Sequence, residues 1–378
     1  MTHDTKETIS MMALTRVGYF NLAGTRELYD RAGSAATLMD HRKDVREVVP
    51  DASDKLVERL RDCDDHIRRA EEEWEWTQRH GVTVLCLGDD GYPYRLAQCQ
   101  DAPLVLYYKG TANLNQMRVV SIVGTRRCTV YGQDLVRRFM ADFRNHCGSK
   151  LLVVSGLAYG VDITAHRSAL EQGFETVGVL AHGLDDLYPP RHRETARQMV
   201  GQGGLLTEYM TRTNADKVNF VRRNRIVAGM CDATILVESA SHGGGLITCG
   251  IAQSYDREVF AFPGSVGLQY SEGCNNLIRK NGATLITSAM DFAESMGWQD
   301  NSLLERAQRQ GIERSLFPDL TPDQQRIVDV LRKTNDLQLN ILSNMTGLPV
   351  GKVSSEMFEL ELKGVARSLA GAVCHLIG

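Results

Sequence analysis

Short apolar segments alternate with helical patterns through the middle of this 378-residue chain, and no other feature constrains the fold as strongly. The apolar segments lie at 119–123, 151–154, 175–180, 205–206, 233–237 and 258–261, and helical patterns lie at 133–145, 162–172, 193–201 and 246–255. Apolar strands that alternate with helices form a parallel sheet with both faces covered. We therefore predict an α/β fold in which residues 81–298 form a Rossmann-like, mostly parallel sheet domain.

The segments on either side of this core have different patterns. Residues 1–80 carry apolar positions at helical spacing among many charges, which predicts an N-terminal helical domain. Residues 299–319 are polar and poorly patterned, which favours a linker. In residues 320–378, Thr321 and Gln324 form a capping-box pattern at the start of a helix. Two more helical segments and a hairpin pattern follow, so we predict a small winged-helix-like domain.

Composition excludes several classes of protein. The net charge of −4 argues against attachment to nucleic acid by bulk positive charge, although it permits a local basic surface. The apolar runs are far shorter than the ~18 residues that span a membrane, and the N-terminus lacks a signal-peptide pattern. We therefore expect a cytoplasmic protein with no membrane contact. The nine cysteines are scattered without a Cys-x-x-Cys pair, so no metal site or disulfide framework is predicted.

Glycine-containing turns follow four of the predicted strands. These turns contain Gly124, Thr125 and Arg126; Ser155 and Gly156; Gly183; and Gly243, Gly244, Gly245 and Thr248. In an open parallel sheet, ligands bind beyond the carboxyl ends of the strands, where N–H groups and helix N-termini favour an anion such as phosphate. Glycine also serves ordinary tight turns, but four such turns favour a phosphate-binding crevice. Neither a G-x-G-x-x-G nor a G-x-x-x-x-G-K-[ST] pattern is present, which disfavours a standard dinucleotide or nucleoside triphosphate site.

A basic segment lies beside these turns. Residues 191–225 contain eight Lys or Arg and three acidic residues, a net charge of +5. The candidate site residues in this segment are Arg193, Lys217, Arg222, Arg223, Asn224 and Arg225. A charged run is commonly a solvated face, but its position beside the turns favours a track for a polyanion, since arginine suits phosphate oxygens. Tyr188 and Phe220 either stack on bases or belong to the core.

Candidates for catalysis are few. Asp162 and His166 are four residues apart on one predicted helix, an arrangement that also fits a structural pair or a carboxylate near a helix N-terminus. Glu238 ends a strand but has no evident acid or base partner. We therefore predict no catalytic residue, no metal and no cofactor.

At these residues the sequence resembles the DNA-processing protein A (DprA/Smf) family. The matching motifs are Gly124-Thr-Arg, Ser155-Gly-Leu-Ala-Tyr-Gly-Val-Asp, His182-Gly-Leu-Asp-Asp-Leu-Tyr-Pro, Asn219-Phe-Val-Arg-Arg-Asn-Arg, Gly244-Gly-Leu-Ile-Thr and Ser271-Glu-Gly-Cys-Asn-Asn. They occur in the family's order and cover residues 92–288. Members often carry an N-terminal helical domain of the SAM or helix-hairpin-helix type and a C-terminal winged helix, which agrees with the patterns of the flanks.

The resemblance implies a non-enzymatic protein of natural transformation. Members bind and protect incoming single-stranded DNA, help to load the RecA recombinase, and usually act as homodimers. The implied DNA contacts are Arg126 and Arg193, in a pocket completed by Gly124, Thr125, Ser155, Gly156 and residues 222–225. His192 departs from the family pattern, which usually has Asn at this position.

Two alternatives remain at the level of sequence. Rossmann-like proteins of the lysine-decarboxylase-like type are phosphoribohydrolases that cleave nucleoside monophosphates with a G-G-x-G-T-x-x-E loop. Here the residue three positions after Thr248 is Ile251, so the acid of that loop is missing. The other alternative is a regulatory protein that binds DNA through its winged helix. Residues 350–362 contain Lys352 as their one basic residue, against three glutamates, which favours docking of a partner there.

Overall fold

The computed structural model describes residues 3–18, 21–298, 320–369 and 372–377. The chain divides into two compact units, residues 1–299 and 300–378, and each is described by itself. The predicted linker at 299–319 lies outside the described residues.

Helices cover most of the start of the first unit, as predicted. They are α1 (Thr5–Val17), α2 (Leu22–Ala32), α3 (Ala35–Asp40), α4 (Asp54–Arg61) and α5 (Asp64–His80). In α1, Met11, Met12 and Leu14 are fully buried, and they belong to the same hydrophobic core as Leu106 and Tyr107 of the sheet. The N-terminal helices and the sheet therefore share one core.

Glu73 of α5 anchors this packing through a buried polar network. Its carboxylate accepts hydrogen bonds from the backbone N–H of Thr211 at 2.8 Å and from the guanidinium of Arg69 at 2.7 Å. Arg69 also donates to the carbonyl oxygen of Thr211 at 2.9 Å. Thr211 follows a strand of the sheet, so this network ties α5 to the edge of the domain that carries the glycine turns.

Replacing Glu73 with alanine is expected to lower the free energy of unfolding by about 3 kcal/mol, because it leaves a largely buried arginine without its partner. The neighbouring Glu72 provides a matched control. It pairs with Arg212, and the two side chains are 47% and 74% exposed, so Glu72→Ala should cost less than about 1 kcal/mol. Urea denaturation measures both variants, and equal losses would contradict the anchoring role of Glu73.

The sheet confirms the predicted α/β, mostly parallel fold. Its described strands are β1 (Thr83–Cys86), β2 (Val105–Gly110), β3 (Val119–Val123), β4 (Leu152–Ser155), β5 (Glu175–Val179), β6 (Gly203–Thr207), β7 (Ala233–Leu236), β8 (Glu258–Ala261) and β9 (Thr284–Leu285). The strand order is β1-β2-β6-β5-β4-β3-β7-β8-β9. Strands β3 to β9 pair in parallel, whereas β1 and β2 pair antiparallel at one edge. Every residue of β3 and β4 is buried, which explains their continuous apolar sequences.

Helices connect these strands. They are α6 (Tyr94–Ala97), α7 (Val130–Cys147), α8 (Val161–Glu171), α9 (Arg193–Gln202), α10 (Lys217–Gly229), α11 (Gly244–Ser254), α12 (Glu272–Arg279) and α13 (Ala289–Ser295). The sequence-based prediction has no counterpart of the helices α6, α10, α12 and α13 or of the strand β9. The basic residues of α10 obscure its helical pattern, and β9 has two residues, too few to show a strand pattern.

The strand order reverses between β3 and β7. From β3 the chain adds β4, β5 and β6 on one side, and β7 then pairs with the other side of β3. The connections that follow β3 and β7 therefore diverge. Such a reversal leaves a crevice at the carboxyl ends of the two strands, where open α/β sheets bind their ligands.

The second unit has the predicted winged-helix arrangement. Its described elements are β10 (Leu337–Gln338), β11 (Ala366–Leu369) and β12 (Val373–Leu376), with helices α14 (Pro322–Lys333), α15 (Leu339–Thr346) and α16 (Val350–Leu362). The predicted capping box is present at Thr321 and Gln324. In α16, Lys352 pairs with Glu356 at 2.6 Å, so its charge is neutralised within the helix.

Among all described helices, none combines the length and apolar content needed to cross a membrane.

Candidate nucleic-acid interface

A cavity of about 390 Å³ lies at the strand-order reversal. Its walls come from the loops after β3, β4 and β7 and from α10 and α11. The predicted site residues that line it are Gly124, Thr125, Arg126, Gly156, Arg223, Asn224, Gly243, Gly244, Gly245 and Thr248. The fold thus gathers most of the glycine turns at one point.

The N-terminus of α11 faces this cavity with little side-chain cover. Gly243 is its N-cap residue, and no side chain caps the helix there. Gly245 packs against the loop after β3, since a Cβ at this position would lie 3.2 Å from the Cα of Gly124. Backbone N–H groups in the first turn of a helix lack intrahelical partners and carry a partial positive charge. This arrangement favours an anion in the cavity.

A buried arginine forms another wall. The side chain of Arg223 is 4% exposed and donates a hydrogen bond to the carbonyl oxygen of Val179. Its Nε has no hydrogen-bond partner within the described part of the chain. Gly156 makes room for this guanidinium, because a Cβ at position 156 would lie 2.1 Å from its Nη1.

Asp162, in the first turn of α8, is the acidic residue of the cavity wall. Its carboxylate accepts hydrogen bonds from the N–H groups of Gly156 at 3.1 Å and Ala158 at 3.3 Å. Burial raises the pKa of Asp162, and the positive charge of Arg223 offsets part of that rise. Burial lowers the pKa of Arg223, but arginine starts so high that it keeps its charge at neutral pH.

Helix α10 separates the basic residues of its segment onto two faces. One face of α10 points toward the cavity, and it carries Phe220, Val221 and Asn224, which line the cavity. Lys217 lies on the same face, because it precedes these residues at a helical spacing of three or four. Lys217 is exposed at the first position of the helix.

Arg222 and Arg225 lie on the opposite face of α10, so the structure does not bring them into the cavity. Arg225 is buried, forms an ion pair with Glu208 and donates to the carbonyl oxygen of Asp101 at 2.7 Å. Arg222 lines a separate cavity of about 80 Å³ together with Arg16 and Glu208. A helical period of 3.6 explains the division, because positions 222 and 225 point away from positions 220 and 224.

An aromatic pair lies beside the basic rim. The guanidinium carbon of Arg126 is 5.1 Å from the ring centroid of Phe220, in cation–π geometry. The Phe220 ring contacts the Tyr188 ring at 5.8 Å, and Tyr188 is 45% exposed. His182 positions this tyrosine, since its Nε2 accepts a hydrogen bond from the Tyr188 N–H at 3.1 Å. Tyr188 is therefore a surface residue rather than a core one.

The other predicted site residues lie outside the cavity. The hydroxyl of Ser155 is buried and donates to the carbonyl oxygen of Ile122 at 2.6 Å, so it stabilises the sheet. Gly183 is buried, and a Cβ added at this residue would lie 2.5 Å from the carbonyl oxygen of Met210. Arg193 is exposed at the first position of α9. Of these three, Arg193 alone is accessible to a ligand.

Two of the catalytic candidates, Glu238 and His166, hydrogen-bond to threonine side chains. Glu238 accepts hydrogen bonds from the N–H of Thr129 at 2.8 Å and from its hydroxyl at 2.5 Å, which fixes the N-cap of α7. His166 bonds to the hydroxyl of Thr176 at 2.7 Å rather than to Asp162. Burial lowers the pKa of His166 to about 3, so this imidazole is neutral at physiological pH.

Several residues that line the cavity are absent from the sequence-based prediction of the site, among them Tyr270 and His242. The backbone N–H of Ser239 donates to the carbonyl oxygen of Tyr270 at 2.8 Å, which draws a distant loop over the end of β7. No local pattern marks this pairing in the sequence.

The chain is similar to proteins of a known family. The DNA recombination-mediator protein A family matches residues 83–297, and the DprA winged helix domain matches residues 314–372. The DNA processing protein DprA of Streptococcus pneumoniae is 39% identical over 203 residues, which are 54% of this chain and 70% of that protein.

Two solved structures resemble this fold. The X-ray structure of DprA from Streptococcus pneumoniae superposes with a TM-score of 0.64 at 31% identity, covering 77% of this chain and 97% of that one. DprA from Helicobacter pylori, described for its single-stranded DNA binding mode, gives 0.51 at 27% identity, covering 57% of this chain and 95% of that one. The family match spans more than half of the chain and includes every element that forms the cavity. The chain therefore belongs to the DNA recombination-mediator protein A family.

Proposed function

We propose that this protein binds single-stranded DNA in the cavity at the strand-order reversal. The observation that carries the proposal is an excess of positive charge there. Arg126, Arg127 and Arg223 line the cavity together with one carboxylate, Asp162, and the N-terminus of α11 adds a partial positive charge. Phosphate oxygens are the anions that such a combination of arginine and backbone N–H groups binds best.

The extent of the basic surface favours a polymer over a single nucleotide. Lys217 lies one turn before the cavity residues of α10 and on the same face, while Arg193 is exposed at the start of α9. Neither residue lines the cavity, and neither has an ion-pair partner among the described residues. A strand that enters the cavity would leave phosphates outside it for these cations to contact.

The aromatic pair favours a single strand over a duplex. Tyr188 and Phe220 lie beside Arg126, where unpaired bases can stack on ring faces. In a duplex the bases are stacked on one another and their faces are not available. The resemblance to the Helicobacter pylori structure, described for its single-stranded DNA binding, supports the same conclusion.

Family membership supports a proposal for the role in the cell. We propose that the protein acts in the cytoplasm as a homodimer, protects single strands taken up during natural transformation and helps to load RecA onto them. Phosphate contacts supply most of the affinity in such proteins, so binding should show little base preference.

Binding assays with a labelled oligonucleotide and its duplex test this proposal. We expect the single strand to bind more tightly than the duplex of the same sequence, and excess unlabelled single strand to compete. Adding RecA to strands already covered by the protein should accelerate RecA filament assembly, which the DNA-dependent ATPase activity of RecA reports. Equal affinity for both forms of DNA would contradict the single-strand assignment, and unchanged RecA assembly would contradict the loading role.

We also expect no release of free base when the purified protein is incubated with nucleoside monophosphates. Ile251 occupies the position of the acid in the phosphoribohydrolase loop, and Glu238 is committed to Thr129. Chromatography of the reaction mixture detects any free base. Base release that depends on the protein would support the enzymatic alternative instead.

A further inference from the structure

Three potential metal ligands that do not line the cavity at the strand-order reversal meet at one point. His3 precedes α1, Cys86 ends β1, and Asp89 lies in the turn after β1. One ligand atom from each residue lies within 4.8 Å of the other two. The sequence predicts no metal site, because 82 residues separate His3 from Cys86 and no close pair of ligands marks the position.

The carboxylate of Asp89 holds this cluster together. One oxygen accepts hydrogen bonds from the N–H of His3 at 3.1 Å and is 2.8 Å from its Nδ1, while the other accepts from the N–H of Cys86 at 2.7 Å. Cys86 is 1% exposed, and the side chain of Asp89 is also buried. These hydrogen bonds to Asp89 therefore bring imidazole, thiol and carboxylate together.

We propose that His3, Cys86 and Asp89 form a site for a divalent cation of the zinc type, with water as the fourth ligand. Zinc accepts nitrogen, sulfur and oxygen ligands in a tetrahedral arrangement, and this mixed set suits a borderline-soft ion better than magnesium or calcium. Ligands about 2.0–2.1 Å from a tetrahedral ion are about 3.3 Å apart. The contact between His3 and Asp89 must therefore widen by about half an ångström to admit the ion.

Metal binding at this site must release a proton. Burial raises the pKa of the Cys86 thiol to about 12, and the negative charge of Asp89 contributes to the rise. The other titratable groups near the thiol are Glu7 of α1, Tyr29 of α2 and Tyr107 of β2. The cation displaces the thiol proton to solvent as the metal–sulfur bond forms.

Such a site would connect His3, two residues before the start of α1, to the end of β1. Glu7 does not compete for the metal, because its carboxylate accepts hydrogen bonds from the N–H groups of Ala35 and Ala36 at 2.7 and 2.8 Å. A cation bound to the folded state alone stabilises that state. Zinc should therefore raise the melting temperature of the protein.

Metal titration of the full chain, free of any histidine tag and treated first with a chelator, tests the proposal. We expect one equivalent of zinc to bind, a higher melting temperature, and a thiolate-to-metal charge-transfer band when cobalt(II) replaces zinc. His3→Gln and Cys86→Ser should each lower the affinity at least about tenfold, since even groups that only orient a ligand are worth that much. Cys128→Ser is the control, because Cys128 is the one cysteine that is not fully buried.

Other outcomes would overturn the proposal. Absence of stoichiometric zinc binding, a cobalt spectrum without a thiolate band, or equal affinity in wild type and His3→Gln would leave a hydrogen-bonded cluster without a metal. His3→Gln keeps the test valid if Cys86→Ser fails to fold, because residue 3 lies outside the helix. No DNA is present in these measurements, so their result is independent of the proposed function.

Discussion

Replacing Arg126 with alanine is expected to weaken binding of single-stranded DNA about tenfold or more for every sequence tested. Arg126 is exposed at the cavity and lies over the Phe220 ring, so in the proposed complex its loss would remove a phosphate contact and one side of the aromatic surface. A hydrogen bond to a charged group is worth roughly 1.5–3 kcal/mol, which corresponds to that change in affinity. Fluorescence anisotropy with oligonucleotides of different base composition measures the effect.

Arg137→Ala is the matched control for this variant. Arg137 is an exposed arginine of α7 that pairs with Asp134 at 2.9 Å and does not line the cavity. Its removal takes the same charge from the protein, so it separates a local contact from a change in net charge. Equal weakening by both variants, or unchanged binding by Arg126→Ala, would contradict the assignment of the cavity.

Replacing Gly156 with alanine should reduce both stability and DNA affinity. The added Cβ would lie 2.1–2.4 Å from the guanidinium atoms of Arg223, which is buried and has little room to move. Overpacking of this kind costs about 1–3 kcal/mol. Displacing Arg223 also weakens its electrostatic interaction with Asp162 and moves the charge that it presents to the cavity. Urea denaturation and anisotropy measure the two effects on the same protein.

Gly250→Ala provides the comparison for this second variant. Gly250 lies in α11, a Cβ there would meet nothing within 4 Å, and its φ is not positive. Alanine is favoured over glycine inside a helix, so this change should preserve binding and leave stability equal or higher. Normal DNA affinity in a folded Gly156→Ala protein would contradict a role for Arg223 in the cavity.

The periodicity of the sequence predicts the architecture well, because buried parallel strands need continuous apolar runs. Segments 119–123 and 258–261 coincide with β3 and β8. Helix α10 is not visible in the same way, because the basic residues at 217–225 obscure its helical period. Helical spacing applied to that run separates Lys217 and Asn224 from Arg222 and Arg225, which is the division found in the structure.

Contacts between distant parts of the chain are what the sequence does not reveal. Arg225 is buried because it forms an ion pair with Glu208 and a hydrogen bond to the carbonyl oxygen of Asp101. No local sequence pattern predicts either partner. The proximity of His3 to Cys86 and Asp89 is likewise a contact between distant parts of the chain, which no local pattern predicts. The net charge of −4 also conceals the site, since it does not show that three arginines and one aspartate line a single cavity.

The salt dependence of single-strand binding, measured for wild type and for Arg126→Ala, tests the central claim most directly. If Arg126 contacts a phosphate, log Kobs falls linearly with log salt concentration, and the slope for the variant is smaller by about 0.7. Arg137→Ala should retain the wild-type slope. Parallel lines for wild type and Arg126→Ala, or binding that does not depend on salt, would contradict the claim that this cavity holds the DNA backbone.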